Sequence, residues 1–184
     1  MTLPAHDPLT KEAFLAWVER REERYEFSDG RVIKLVRVTR NHAQVATNLL
    51  CALASRLRRE RHDVFLGAFA VHVDDSVRFP DVLVEPVQSD GKSLEAKHPI
   101  LIAEVLSPGT HHLDFGDKLR EYLTLPSLDT YLIISPDEPR IWVWQRTDGT
   151  FPEEPEIIEK RDEHVDLPAL AIDIPLEEIY RGIT

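Results

Sequence analysis

The segment Pro99–Tyr122 reads PILIAEVLSPGTHHLDFGDKLREY and predicts an apolar strand, a loop and a helix. The run ILIAEVL has apolar residues on both sides of one acid, Glu104, which is typical of a strand covered on both faces. A lone ionised carboxylate in such a strand costs several kcal/mol unless it is paired, protonated or bound to a cation. Glu104 is therefore the first candidate for a functional residue.

The composition is that of a globular protein rather than a disordered or membrane-embedded one. The chain has 184 residues, 42% hydrophobic and 30% charged, and this length suits one domain spanning 1–184. No apolar stretch approaches the ~20 residues that span a bilayer, and the N-terminus lacks the pattern of a secretory signal. The single cysteine, Cys51, fits a reducing compartment. We therefore expect a cytoplasmic protein that does not enter a membrane.

The apolar pattern outside this segment predicts a mixed fold. LTKEAFLAWVERREE and NHAQVATNLLCALASRLRRE have helical spacing, and RYEFSDGRVIKLVR is typical of a hairpin that turns at Asp29-Gly30. The remaining strand-like segments include DVFLG, AFAVHV, VRFPDVLVEPV, LDTYLIIS and RIWVWQR. Together they predict an α/β (α+β) fold, with a mixed β-sheet flanked by helices after an α-β-β-α opening similar to a helix-hairpin-helix.

A second acid, Asp81, follows Pro80 within VRFPDVLVE. Proline in a sheet is confined to edges or bulges, and a bulge can re-aim a neighbouring side chain. If Asp81 and Glu104 lie on adjacent strands, their repulsion raises one pKa unless a divalent cation lies between them. Mg²⁺ (or Mn²⁺) would suit this pair, because hard cations bind carboxylates, waters and phosphate oxygens. The alternative is a Pro-Asp turn with a solvated acid.

Lys118 lies 14 residues after Glu104, on the predicted helix that follows the strand. A strand, a short loop and one helical turn can return its ammonium group to the carboxylates. Asp114, four residues earlier, would face the same side and hold the lysine as an i,i+4 pair. The alternative is the more common one, an Asp–Lys pair on a solvated helix face.

The order of these motifs resembles the Uma-type family of restriction endonucleases within the PD-(D/E)XK nuclease superfamily. The likeness runs from Tyr25 to Tyr180 through YEFSDGR, NHAQVATNLL, RFPDVLVEP, IAEVLSPGT, LDTYLIIS and RIWVWQR. It implies that Asp81 and Glu104 bind the metal. The superfamily's lysine two residues after the second acid is absent, and the resemblance implies that Lys118 replaces it from the following helix. Glu26 matches an acid that completes the site.

The resemblance implies a metal-dependent DNA endonuclease, a hydrolase acting on phosphodiester bonds. Two alternatives stay open: a catalytically inactive nuclease-fold module that binds DNA or protein, and a hydrolase of another phosphate ester. The sequence has no glycine-rich phosphate-binding motif, which argues against a nucleotide cofactor. A homodimer is also expected, because two-fold symmetry suits cutting both strands of a duplex.

Charge is distributed unevenly along the chain. The net charge is −11, yet residues 31–61 hold eight basic side chains and one acid, a local charge of +7. Such a basic face could meet a phosphate backbone even in an acidic protein, although a solvated helix end is an equally simple reading of any one arginine. The predicted DNA-binding residues are Arg56, Arg58, Arg59, Arg61 and His42.

Overall fold

The computed structural model of the protein describes most of the chain. The described residues are 9–21, 23, 25–28, 30–34, 37–67, 69–107 and 114–183. The predicted hairpin turn at Asp29 and the loop 108–113 lie outside them.

The described residues contain four α-helices and a short 3₁₀ turn, Pro168–Leu170. The helices are α1 Lys11–Val18, α2 Arg40–Arg56, α3 Asp117–Tyr122 and α4 Leu176–Ile179. The Thr39 hydroxyl begins α2 by accepting a hydrogen bond from the His42 backbone N–H. This contact satisfies one of the backbone donors left free in the first turn.

Thirteen short strands occur in the described part of the chain. They are β1 Tyr25–Ser28, β2 Arg31–Lys34, β3 His62–Leu66, β4 Ala70–Val73, β5 Ser76–Arg78, β6 Val82–Pro86, β7 Glu95–Ala96, β8 Leu101–Val105, β9 Thr130–Ile134, β10 Ile141–Gln145, β11 Glu156–Ile158, β12 His164–Leu167 and β13 Ile172–Pro175. The order α1-β1-β2-α2 confirms the predicted α-β-β-α opening.

Within the described residues, six strands form what we call the main sheet, in the order β11-β10-β9-β8-β6-β3. Strands β8 and β9 are parallel and the other neighbours are antiparallel, so the sheet is mixed, as predicted. The strand that carries Glu104, β8, lies between β6 and β9, and its five residues are buried. The prediction of a central, covered strand is therefore confirmed.

The two faces of the main sheet pack against different elements. On one face, Val82, Ala103 and Leu132 pack against α2 and the C-terminal segment. On the other face, Ile102 and Tyr131 pack against α3 and β4. This alternation follows from the two-residue period of a strand, and it directs Glu104 to the α3 face together with Ile102.

The segment VRFPDVLVEP was predicted to be one strand, and that prediction is wrong. The structure divides it into β5 and β6, which belong to different sheets. Strand β5 belongs to a second sheet, whose described strands run β2-β1-β5-β4-β7, and the chain crosses to the main sheet through Phe79, Pro80 and Asp81. Proline breaks the ladder here because it has no N–H to donate. Sequence analysis predicted one sheet and missed the second.

None of the helices in the described residues is both long enough and apolar enough to cross a membrane.

Leu49 tests the packing of α2 on the main sheet. It is fully buried, so Leu49→Ala is expected to lower the free energy of unfolding by about 2–5 kcal/mol through lost burial and a residual cavity. Leu94, which is 79% exposed, is the matched control, and Leu94→Ala should change it by less than about 0.5 kcal/mol. Urea unfolding measures both, and equal losses would contradict this packing.

Candidate active site

Asp81 immediately precedes β6 and lies beside the end of β8 that carries Glu104. The antiparallel register pairs Val82 with Ala103, the residues next to Asp81 and Glu104 in the sequence. The backbone N–H of Val105 donates to Asp81 Oδ2 at 2.8 Å, which fixes the carboxylate at this end of β8. The charge of Asp81 helps to raise the pKa of Glu104, so the two acids interact and belong to one site.

Lys118 lies among three carboxylates. Its Nζ is 3.0 Å from Glu104 Oε1, 3.2 Å from Asp114 Oδ1 and 3.4 Å from Glu26 Oε1. The lysine and all three acids are buried. The pair with Asp114 has the predicted i,i+4 spacing, but it is buried rather than solvated. The structure thus brings together Glu26, Glu104 and Lys118, all of them predicted from the sequence.

Burial is the main cause of a pKa of Glu104 well above its usual value of 4.5. The Lys118 ammonium opposes this rise, whereas the charges of Asp114, Asp81 and Glu26 add to it. The Tyr122 hydroxyl also donates to Glu104 Oε1 at 3.0 Å. Glu104 therefore lies in a place where negative charge is in excess.

The pKa of Lys118 is shifted upward for the complementary reason. Burial alone would lower it, but the nearby carboxylates of Glu104, Glu26 and Asp114 more than compensate. The side chain therefore stays an ammonium throughout the neutral pH range. It can stabilise negative charge and donate hydrogen bonds, but it cannot take a proton from water.

His42 belongs to the candidate site and not to an exposed phosphate-binding surface. Its side chain is 7% exposed, and its Nε2 lies 3.2 Å from Asp81 Oδ1. Its Nδ1 lies 3.4 Å from the carbonyl oxygen of Leu106. Burial lowers the pKa of His42, but Asp81 and the Leu106 carbonyl outweigh it, so the net pKa is raised. Because both ring nitrogens face acceptors, a doubly protonated ring satisfies both contacts.

The other predicted DNA-binding residues lie at the opposite end of α2. The backbone carbonyl of Arg61 accepts a hydrogen bond from the backbone N–H of Val87. Val87 lies six residues after Asp81, which corresponds to roughly 20 Å at about 3.3 Å per strand residue, so Arg61 is about this far from Asp81. Arg58, Arg59 and Arg61 are exposed there. Arg56 instead pairs with Glu178, through contacts of 2.8 and 2.9 Å. The structure does not bring these arginines to the carboxylates.

Sequence reasoning missed two residues that contact the site acids. Tyr122 donates to Glu104, and Arg78 lies 3.5 Å from Glu26 Oε2. The helical series Asp114, Lys118 and Tyr122, at steps of four, could have indicated the tyrosine. Nothing in the local sequence around Arg78 indicates its partners, because they lie about 40 to 50 residues away.

The donor set fits a hard divalent cation. Asp81 and Glu104 are neighbouring carboxylates, and Lys118 supplies one positive charge to the three acids around it. No group of three or more His, Cys, Asp or Glu side chains within the described ranges is arranged as a metal-ligand cluster. Proteins nevertheless often bind Mg²⁺ through only two carboxylates, because water and substrate phosphate oxygens occupy the remaining coordination positions.

A solved structure shares this architecture. The crystal structure described as "a putative nuclease belonging to DUF820", from Anabaena variabilis ATCC 29413, superposes with a TM-score of 0.78, over 94% of this chain and 98% of that chain, at 18% identity. The chain thus has the same mixed α+β fold as that protein.

Family membership follows from the sequence comparison. Residues 11–177 match the model of the family described as "Putative restriction endonuclease" (Uma2), and the chain belongs to this family. Two relatives come from Synechocystis sp. (strain ATCC 27184 / PCC 6803 / Kazusa). Uncharacterized protein slr1290 is 27% identical over 97% of this chain and 98% of its own. Uncharacterized protein sll1609 is 30% identical over 68% and 74%.

The raised pKa of Glu104 predicts how stability varies with pH in metal-free protein. The folded state binds this proton more tightly than the unfolded chain, so unfolding free energy falls as pH rises from 4.5 through the raised value. Glu104→Gln removes the buried charge and should stabilise the protein on the alkaline side, with a gain that shrinks towards pH 4.5. Thermal unfolding in EDTA across this range measures the difference.

Glu85 provides the matched control. It is also buried on the main sheet, but its Oε2 accepts hydrogen bonds from the backbone N–H groups of Lys97 and His98. Glu85→Gln weakens these charge-assisted bonds and should lower stability. If Glu104→Gln behaves like Glu85→Gln at alkaline pH, the described electrostatics of Glu104 are contradicted.

Proposed function

We propose that this protein is a metal-dependent DNA endonuclease that hydrolyses phosphodiester bonds. One observation carries the proposal: the carboxylate of Asp81 lies at the end of β8 beside Glu104 and interacts with it, and the Lys118 ammonium lies 3.0 Å from Glu104. Family membership and the nuclease-like fold support it. DNA is the substrate that we infer from the family's description.

Asp81 and Glu104 would hold Mg²⁺ or Mn²⁺. Such an ion, when bound, polarises a phosphate oxygen and lowers the pKa of bound water. Lys118 would stabilise the negative charge that develops on the phosphate in the transition state. Because its pKa is raised, it acts as a charged donor and not as a general base. Glu26 and Asp114 would keep this ammonium in place.

The second candidate is a nuclease-fold module that binds DNA or protein without cutting. One observation favours it: protein donors already contact both acids, with Val105 and His42 on Asp81, and Tyr122 and Lys118 on Glu104. Calorimetry with Mn²⁺ distinguishes the two candidates, since an inactive module need not bind the ion.

The direct test is cleavage of supercoiled plasmid by purified protein with Mg²⁺ or Mn²⁺. Wild-type protein should nick or linearise the plasmid, and EDTA should abolish this. Glu104→Gln and Lys118→Met should each lower the rate by a factor of at least about 100, because the first removes a carboxylate that would hold the metal and the second removes a positive charge that stabilises the transition state.

Glu85→Gln is the control for loss of a buried carboxylate, and it should keep the wild-type rate. Cleavage that survives EDTA, or that persists in both site variants, would contradict the proposal. Binding of plasmid without cleavage under any divalent ion would favour the inactive module.

We also propose that Arg58, Arg59 and Arg61 contact phosphates away from the scissile bond. A distance of roughly 20 Å corresponds to about six base pairs of duplex at 3.4 Å each. Replacing all three by serine should weaken DNA binding and reduce the log–log salt slope by about 0.9 for each lost phosphate contact, with kcat unchanged. Fluorescence anisotropy over a salt series measures this.

Arg161→Ser is the control for removing an exposed positive charge elsewhere, and it should leave the salt slope unaltered. An unchanged slope in the triple variant would contradict this role. The homodimer and the cytoplasmic location stay predictions.

A further inference from the structure

Arg78 is a fully buried arginine at the end of β5, immediately before the crossing that carries Asp81. Its Nε donates to Glu121 Oε2 at 2.7 Å, and its Nη2 donates to Glu121 Oε1 at 2.8 Å. The same Nη2 donates to the Ser28 hydroxyl at 2.8 Å. A buried guanidinium needs acceptors of this kind, because an unpaired one would cost several kcal/mol.

Glu26 connects this arginine to the candidate active site. Its Oε2 lies 3.5 Å from Arg78 Nη1, and its Oε1 accepts from the Phe79 backbone N–H at 3.1 Å. The Lys118 ammonium lies 3.4 Å from the same Oε1. Three donors therefore surround the Glu26 carboxylate, which leaves it poorly placed to bind a metal and well placed to orient a lysine.

Five charged side chains, four of them buried and the first partly buried, alternate in sign along one chain of contacts. The order is Glu121, Arg78, Glu26, Lys118 and Glu104. This chain joins β5 and β1 of the second sheet to α3 and to β8 of the main sheet. Each of the three middle residues contacts a charge of opposite sign on both sides. Removal of one of them therefore leaves a neighbouring charge unpaired in the low-dielectric protein interior.

We propose that Arg78 is a positioning residue for the Lys118 ammonium and acts through Glu26. Glu121 in turn fixes the orientation of the guanidinium. This role requires an arginine, because the planar guanidinium group contacts Glu121, Ser28 and Glu26 at once, which a lysine ammonium at this position cannot do. The proposal rests on the proposed nuclease function, since the positioned ammonium is the group that stabilises the reacting phosphate.

The test compares Arg78→Lys, Arg78→Gln and Glu121→Gln with wild-type protein. Each should lower kcat by about 10- to 100-fold, as loss of a supporting contact typically does, while KM for DNA stays unchanged. A second readout needs no activity: the ¹H–¹⁵N signal of the Lys118 ammonium in metal-free protein. It should be visible in the wild type, because burial slows its hydrogen exchange, and should shift or disappear in all three variants.

Arg146→Gln is the matched control for loss of an arginine. Arg146 donates to the carbonyl oxygens of Leu128, Gly149 and Leu125, so its replacement lowers stability without touching the chain of charges. It should keep the wild-type kcat and the Lys118 signal. If Arg146→Gln loses kcat as Arg78→Gln does at the same fall in Tm, the role of Arg78 is purely structural and the proposal is overturned.

The two proposals fail in different ways. Wild-type protein that never cleaves DNA overturns the nuclease function, whereas the Lys118 signal still decides the role of Arg78. An unchanged signal in Arg78→Lys and Glu121→Gln overturns the positioning role even if cleavage is strong. If Arg78→Gln does not fold, Glu121→Gln decides the question. The Glu121 side chain is 16% exposed, so its replacement should disturb folding less than that of the fully buried Arg78.

Discussion

The candidate site depends on one buried ammonium group surrounded by carboxylates. Lys118 contacts Glu26, Glu104 and Asp114 within 3.4 Å, and none of these groups has appreciable access to water. Without the lysine, three acids would share a low-dielectric pocket, at a cost of several kcal/mol for each unpaired charge. With Lys118 present, an excess of negative charge remains, but its free-energy cost is lower. The proposed binding of a further cation would offset this remaining negative charge.

The break in the segment VRFPDVLVEP links this electrostatic arrangement to the fold. Residues on either side of the break enter different sheets, so Arg78 ends in the second sheet and Asp81 begins beside β6 of the main sheet. Pro80 favours this break because it cannot donate to a ladder. Within four residues the chain supplies a buried cation on one side of the site and a carboxylate on the other. The two sheets are thereby joined by charge as well as by packing.

Much of the site could be predicted from the sequence because its acids interrupt clear apolar patterns. Glu104 is conspicuous within ILIAEVL, and the helical spacing of Asp114 and Lys118 indicated a return to the strand. The position of His42 in the first turn of an amphipathic helix suggests a surface residue, and only the packing of α2 on the main sheet brings it to Asp81. Arg78 was missed because its partners are distant in sequence, and the second sheet was missed because VRFPDVLVEP was predicted to be a single strand.

The proposed function requires that Asp81 and Glu104 bind a divalent cation with Lys118 beside them. Anomalous diffraction from a crystal soaked in Mn²⁺ tests this binding directly. We expect one strong anomalous peak between Asp81 and Glu104, with Lys118 still adjacent to Glu104. A crystal with no peak there, or with manganese bound only elsewhere on the surface, would contradict it.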